Sequence, residues 1–158
     1  MAEFVSARPT LLVVHHSHGW RTTRLAEAVV AGALRTDAAS VRTVRASEAG
    51  LPDLLGADGY LFGTPETFGS MCGLLKDFFE RTYYPALGRL NGRPYAVFVC
   101  AGNDCSGAVQ SIQRIARGHG LREVQPALIV RSDDILARVK DCEELGEAMA
   151  LGMAMGAF

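Results

Sequence analysis

The sequence predicts an α/β domain built on a doubly wound parallel sheet, and three observations carry that expectation. Strongly apolar, β-branched runs recur at Thr10–His16 and Tyr95–Ala101, as strands buried on both faces require. Segments with helical spacing of apolar residues separate the strand-like runs. Each connection that follows a strand is rich in Gly, Ser, Thr, Asn or Pro, as loops at the carboxyl edge of such a sheet are.

The elements follow in order. Thr10–His16 is the first strand, followed by the loop Ser17-His18-Gly19-Trp20-Arg21-Thr22-Thr23. A helix from about Thr23 to Leu34 carries Leu25, Ala28, Val29 and Leu34 on its apolar side. Val41–Arg45 alternates and reads as an edge strand with one wet face. Leu51–Gly56 is a short helical turn, and Asp58–Gly63 is the third strand. Thr64–Gly69 then reads as a loop. The helix Leu74–Tyr84 presents Leu74, Leu75, Phe78, Phe79 and Thr82 on one side. Leu90–Pro94 is a turn by composition, and Tyr95–Ala101 is the fourth strand. Gly102–Gly107 is the third ligand-facing loop. The helix from Ser106 to Arg117 buries Val109, Ile112, Ile115 and Ala116. Leu121–Arg131 contains the fifth strand, strongest at Ala127–Val130, and Ser132 or Asp133 caps the last helix. No linker, repeat or low-complexity segment interrupts the pattern, so residues 1–158 are expected to form one domain.

Composition narrows the function classes. The 158 residues are 49% hydrophobic and 21% charged, with a formal net charge of −1, which gives no basic face for nucleic acid. Dedicated small electron carriers tend to be strongly acidic, unlike this chain. Cys72, Cys100, Cys105 and Cys142 form no CxxC or paired spacing and read as small buried hydrophobes. His16 and His18 lie two apart, but no Asp, Glu or Cys joins them locally, so no metal site is expected. His15 and His16 read as filling the top of the first strand, and His119, in Gly118-His119-Gly120, as a solvent-facing helix stop. Met1–Phe4 lacks the design of a signal peptide, and the apolar tail Ala148–Phe158 is shorter than the roughly 20 residues of a membrane span. The expected location is the cytoplasm.

The loops choose among doubly wound folds. A Rossmann dinucleotide site needs GxGxxG after the first strand and an acid ending the second; here the loop is SHGWRTT and the second strand ends in Arg45-Ala46-Ser47. A P-loop ending in Lys-Ser or Lys-Thr is absent, as are the acids of a receiver domain and the loop-opening cysteine of a low-molecular-weight tyrosine phosphatase.

The loop Ser17–Thr23 resembles the phosphate loop of flavodoxins, Ser/Thr-x-x-Gly-x-Thr, with Ser17 and Thr22 on the hydroxyl positions. One departure is that Gly19 stands third and Trp20 fourth, which alters where the backbone takes positive φ. Pro65-Glu66-Thr67-Phe68-Gly69-Ser70-Met71-Cys72-Gly73, followed by a Lys- and aromatic-containing helix, is similar to the flavin-edge segment of flavodoxin-like NAD(P)H-dependent FMN oxidoreductases. Ala101-Gly102-Asn103 resembles their third loop.

The resemblance implies a five-stranded flavodoxin-like sheet of order 2-1-3-4-5 within a three-layer αβα domain. It implies non-covalent FMN, with NAD(P)H as co-substrate and a quinone or similar small molecule as electron acceptor. Ser17, Gly19, Arg21 and Thr22 would hold the phosphate. Thr64, Pro65, Glu66, Thr67, Phe68 and Gly69 would lie along the isoalloxazine, and Ala101, Gly102, Asn103 and Asp104 on its pyrimidine side. The flavin carries the redox chemistry, so no catalytic base is expected. From the residues alone, Thr22 or Thr23 is equally a helix cap, Glu66 an exposed loop charge, and Tyr83 and Tyr84 either stack on a ligand or end their helix. Met149, Met153 and Met155 pack on the sheet or on a second copy, and a homodimer or larger assembly is expected. The alternatives are a flavodoxin-type electron carrier and a cofactor-free, partner-binding domain.

Overall fold

The first strand is buried along nearly its whole length because its alternate residues feed two separate cores. The computed structural model describes residues 7–158 and contains β1 (Thr10–His15), α1 (Arg21–Arg35), β2 (Ser40–Arg45), α2 (Leu51–Gly56), β3 (Gly59–Thr67), β4 (Ser70–Met71), α3 (Gly73–Ala86), β5 (Pro94–Ala101), α4 (Ser106–Gly118), β6 (Arg122–Glu123), β7 (Leu128–Arg131) and α5 (Val139–Ala154). The expectation for Met1–Phe4 lies outside the described residues. Leu12 and Val14 of β1, Tyr60 and Phe62 of β3, and Val97 and Val99 of β5 join the core under α2, α3 and α4. Leu11 and Val13, Leu61, and Ala96 and Phe98 join the core under α1 and α5. This is the three-layer architecture, with helices on both faces of a parallel sheet.

The sheet runs β2-β1-β3-β5, and its fifth position is shared by β6 and β7, both paired in parallel with β5. The expected order is therefore observed, with two differences in detail. The fifth strand is interrupted between Glu123 and Leu128, where Pro126 has no N–H to give the ladder. The segment after Gly63, expected as a loop, continues β3 to Thr67 and folds back as an antiparallel hairpin, Glu66 opposite Met71 and Thr67 opposite Ser70.

Further differences concern helix ends and faces. α1 starts at Arg21, with Trp20 rather than a threonine at its N-cap. Ser132 continues the β7 ladder by donating its N–H to the Ala101 carbonyl at 2.8 Å. Neither it nor Asp133 caps α5, which follows a 3-10 turn at Leu136–Arg138. Leu34, Leu74 and Met155 are exposed rather than packed, and Ile115 is only half-buried, whereas Met149 is fully buried beneath α5. Among the described residues no helix is long and apolar enough to cross a membrane.

Arg93 secures the end of α2, donating from Nη1 to the carbonyls of Leu55 (3.0 Å) and Ala57 (2.8 Å), while the buried Tyr60 hydroxyl donates to Leu54 O at 2.6 Å. α1 and α5 touch backbone to backbone. A Cβ at Gly32 would lie 1.9 Å from the Glu143 carbonyl oxygen, and one at Gly146 would lie 1.9 Å from that of Val29.

His119 is buried rather than solvent-facing, at 2% exposure. The turn after α4 folds its ring inward, where Nδ1 donates to the Ile115 carbonyl at 3.0 Å and the ring meets Phe79 and Tyr83 edge-on. Burial lowers its pKa below the ordinary 6.5.

Two outcomes follow from this packing. Gly146→Ala, although it raises helix propensity, must part α1 from α5 and should cost about 1–3 kcal/mol in urea unfolding. Gly56→Ala, with open space around its Cβ position, is the control. His119 takes its proton more readily in the unfolded chain, so its contribution to stability is complete above about pH 6.5 and is lost as pH falls below it. Urea midpoints between about pH 7.5 and 5.5 should therefore fall more steeply for the wild type than for His119→Gln.

Candidate functional site

Parallel strands place their carboxyl ends on one edge, and three connections gather there. Residues 16–20 link β1 to α1, the β3–β4 hairpin follows β3, and residues 102–105 link β5 to α4. Between them lies a cleft of about 180 Å³. Of the residues predicted for the site, Ser17, Gly19, Arg21, Thr22, Pro65, Glu66, Ala101 and Gly102 line it.

Thr64, Thr67, Phe68, Gly69, Asn103 and Asp104 are not on its wall, and each has a local reason. Thr64 is fully buried; its hydroxyl accepts from Cys72 N–H at 2.9 Å and donates to the Pro65 carbonyl at 2.8 Å. Thr67 pairs with Ser70 in the hairpin. Phe68 and Gly69 form its two-residue turn, with φ of 49° and 72°, as a type I′ connection demands, and this leaves the Phe68 ring fully exposed. Asn103 Oδ1 accepts from Cys105 N–H at 3.0 Å. Asp104 Oδ1 accepts from the Ser106 N–H at 3.0 Å and hydroxyl at 2.9 Å, and these bonds hold its carboxyl below the usual range.

His18, Trp20, Cys100 and Ser132 also line the cleft, although the residue-level prediction omits them from the site. The signal for Ser132 was its position just beyond the last parallel strand, on the same carboxyl edge. Cys100 is buried at the end of β5, and burial raises its thiol pKa. Tyr83 and Tyr84 lie elsewhere, about 15 Å along the α3 axis from its start. They line a groove of about 480 Å³ with Phe79, Arg114 and His119. That groove is the larger cavity, but it holds none of the strand-end loops.

The two helices that begin at the cleft differ in how their free N–H groups are used. At α4, Asp104 takes the Ser106 N–H, and Glu66 Oε2 accepts from Ala108 N–H at 2.8 Å. At α1, no side chain among the described residues caps the first turn, and no acidic residue stands in it. Ser17 Oγ donates to Gly19 O at 2.6 Å and shapes the loop beneath that helix end. Arg21 crosses the cleft rim, donating from Nε to Ser132 O at 3.1 Å, with its guanidinium 5.5 Å from the Trp20 ring centre. His16 and His18 meet edge-on, and burial, with His18 and Arg45 nearby, lowers the His16 pKa. Free amides, the positive end of the helix dipole and an arginine thus converge at α1, a donor set suited to a phosphate monoester. Among the described residues no group of three or more His, Cys, Asp or Glu forms a metal cluster.

Comparison with known proteins agrees with this architecture. The family model for NADPH-dependent FMN reductase matches residues 46–133, more than half of the chain, and the chain belongs to that family. A flavodoxin of Aquifex aeolicus (strain VF5) is 29% identical over 92 residues, covering 58% of this chain and 50% of that protein. An NAD(P)H dehydrogenase (quinone) of Acidithiobacillus ferrooxidans is 33% identical over 110 residues, covering 56% of this chain and 55% of that one. The chain thus spans about half the length of the curated relatives it matches. A solved flavodoxin from the domain Archaea superposes with a TM-score of 0.80 at 20% identity, covering 91% of this chain and 98% of its own, which shows the shared fold. The matched family region contains the second and third loops but begins after the first, so the anion site at α1 rests on its own geometry.

Glu66 joins the hairpin to α4. Glu66→Ala should leave the Ala108 N–H without its charged acceptor, cost about 1–3 kcal/mol, and speed hydrogen exchange at that amide relative to the rest of α4.

Proposed function

We propose that the protein is an FMN-dependent NAD(P)H oxidoreductase that reduces a quinone or similar small acceptor. The observation that carries this reading is the open N-terminus of α1, facing the cleft while the α4 terminus is occupied by Asp104 and Glu66. In this reading the N–H groups of the first α1 turn, with Ser17, Thr22 and Arg21, bind the FMN phosphate. Bound FMN supplies the redox chemistry, taking electrons from a reduced nicotinamide and passing them to the acceptor.

The remaining work belongs to the chain. Pro65 and Glu66, beside Ala101 and Gly102 at the end of the paired strand, form one wall for a flat ring, where the missing or small side chains of the third loop let a ligand approach the backbone. Thr64, Asn103 and Asp104 position this wall through the hydrogen bonds they make within their loops. Trp20 covers the cleft at the first loop, its ring held against Arg21. The family and the quinone-reducing relative support this choice of reaction class. We also place the protein in the cytoplasm, a choice supported by four buried, unpaired cysteines, and expect a homodimer or larger assembly.

The flavodoxin relative favours a second reading, a one-electron carrier. A single preparation separates the two. After incubation with FMN and gel filtration, near one flavin per chain should be retained. That sample should then oxidise NADH or NADPH in the presence of a quinone. Arg21→Ala should weaken FMN retention about tenfold, as loss of a charge-assisted bond to phosphate predicts. Retained flavin without nicotinamide turnover would select the carrier, and absence of flavin would select a partner-binding domain.

A further inference from the structure

A second cleft lies between α1 and the exposed edge of the sheet formed by β1 and β2. It holds about 300 Å³, and its walls are His15, Thr23, Ala26, Glu27, Val30, Thr43 and Arg45. The placement follows from register. His15 of β1 pairs with Arg45 of β2, and Thr43 stands two residues before Arg45 on the same face. Thr23, Ala26, Glu27 and Val30 are spaced i, i+3, i+4 and i+7 along α1, one stripe of that helix. Because β2 is the edge strand, no further element among the described residues closes the gap.

Unused polar capacity sets this cleft apart. His15 is 9% exposed, and its Nδ1 is a buried side-chain nitrogen with no hydrogen-bond partner, the one such atom found among the described residues. A buried polar atom left unpaired costs free energy, and a partner from outside the chain would remove that cost. Among the described residues Arg45 and Glu27 make no ion pair, and neither they nor the two threonines make a side-chain hydrogen bond. The cleft therefore offers one cation, one anion, two hydroxyls and an unsatisfied imidazole, with Ala26 and Val30 as an apolar wall.

We propose that this cleft binds a small zwitterion of the α-amino acid class. The carboxylate pairs with Arg45, the ammonium faces Glu27, and a turn of the His15 ring that brings the sealed Nδ1 to the cleft lets one of the ligand's polar groups complete its hydrogen bonding. The walls carry equal and opposite charge, so a simple anion would meet Glu27 and a simple cation would meet Arg45; only a ligand bearing both signs satisfies both. The volume suits a small amino acid with a short apolar side chain against Ala26 and Val30. The site shares none of its residues with the cleft proposed for FMN.

The test is NMR of the ¹⁵N-labelled full chain, with and without FMN, titrated with L-alanine, acetate or ethylamine. L-alanine should shift the His15 Nδ1 resonance and the backbone amides of Thr23, Glu27, Thr43 and Arg45 saturably, equally with and without FMN. Arg45→Gln and Glu27→Gln, both at exposed positions, should each weaken that binding about tenfold while leaving the remaining spectrum in place. Absence of a saturable shift would overturn the proposal. So would acetate or ethylamine binding as tightly as L-alanine, or tight binding that survives both substitutions. Failure to retain FMN would leave these outcomes readable, because the titration of the flavin-free chain stands by itself.

Discussion

Burial of both faces of the parallel sheet is the constraint on which the rest of the structure depends. Once Leu11 through Val14 are committed to cores on either side, every helix must lie flat against a face. The polar connections then have only the ends of the strands in which to reach water. This concentrates Ser17, Thr22, Pro65, Glu66, Ala101 and Gly102, which are distant in the chain, into one cleft. The tight α1–α5 contact serves the same end. With Gly32 and Gly146 allowing backbone approach, α1 is fixed in direction, and so is the axis along which its dipole points at the cleft.

Two helices start at this edge, and composition alone does not distinguish them. Hydrogen bonding does. At α4 the carboxylates of Asp104 and Glu66 neutralise the positive end of the dipole, so that terminus is structural. At α1 no described side chain accepts from the corresponding groups. The difference also explains why Asp104, expected beside a flavin, belongs to the scaffold of its own loop. An exposed acid immediately before a helix is a cap before it is anything else.

Much of the architecture was legible because it depends on patterns that survive without tertiary information. Continuous apolar runs gave β1 and β5, alternation gave the edge position of β2, and helical spacing gave α1, α3 and α4. What escaped depended on contacts between distant residues. His119 sits between two glycines, a local signature of exposure, yet Phe79, Tyr83 and Thr82 of another helix enclose it. Leu34 and Leu74 fit an apolar stripe, yet both are exposed. Thr64 through Thr67 carry loop-like residues, and only pairing with β5 and β4 makes them strand. For the candidate site, the sequence singled out loops that the structure gathers at one edge of the sheet. It did not separate the side chains that face the cleft from those, such as Thr64 and Asn103, that bond inward to hold a loop in shape.

The bonds between the hairpin and α4 set the mechanics of the cleft. Glu66 is tied to Ala108, Met71 N–H donates to Ser111 Oγ at 3.0 Å, and the Gly69 carbonyl oxygen sits where a side chain on Gly107 would begin. These ties fuse the second and third loops into one rigid jaw. Beside the first loop, Arg21 at the start of α1 makes the one side-chain bond among the described residues to the far side, to Ser132 O. The two sides of the cleft are thus held unequally: backbone and side-chain bonds join the second and third loops, whereas the rim beside Trp20 is tied across by the Arg21 guanidinium alone among the described side chains.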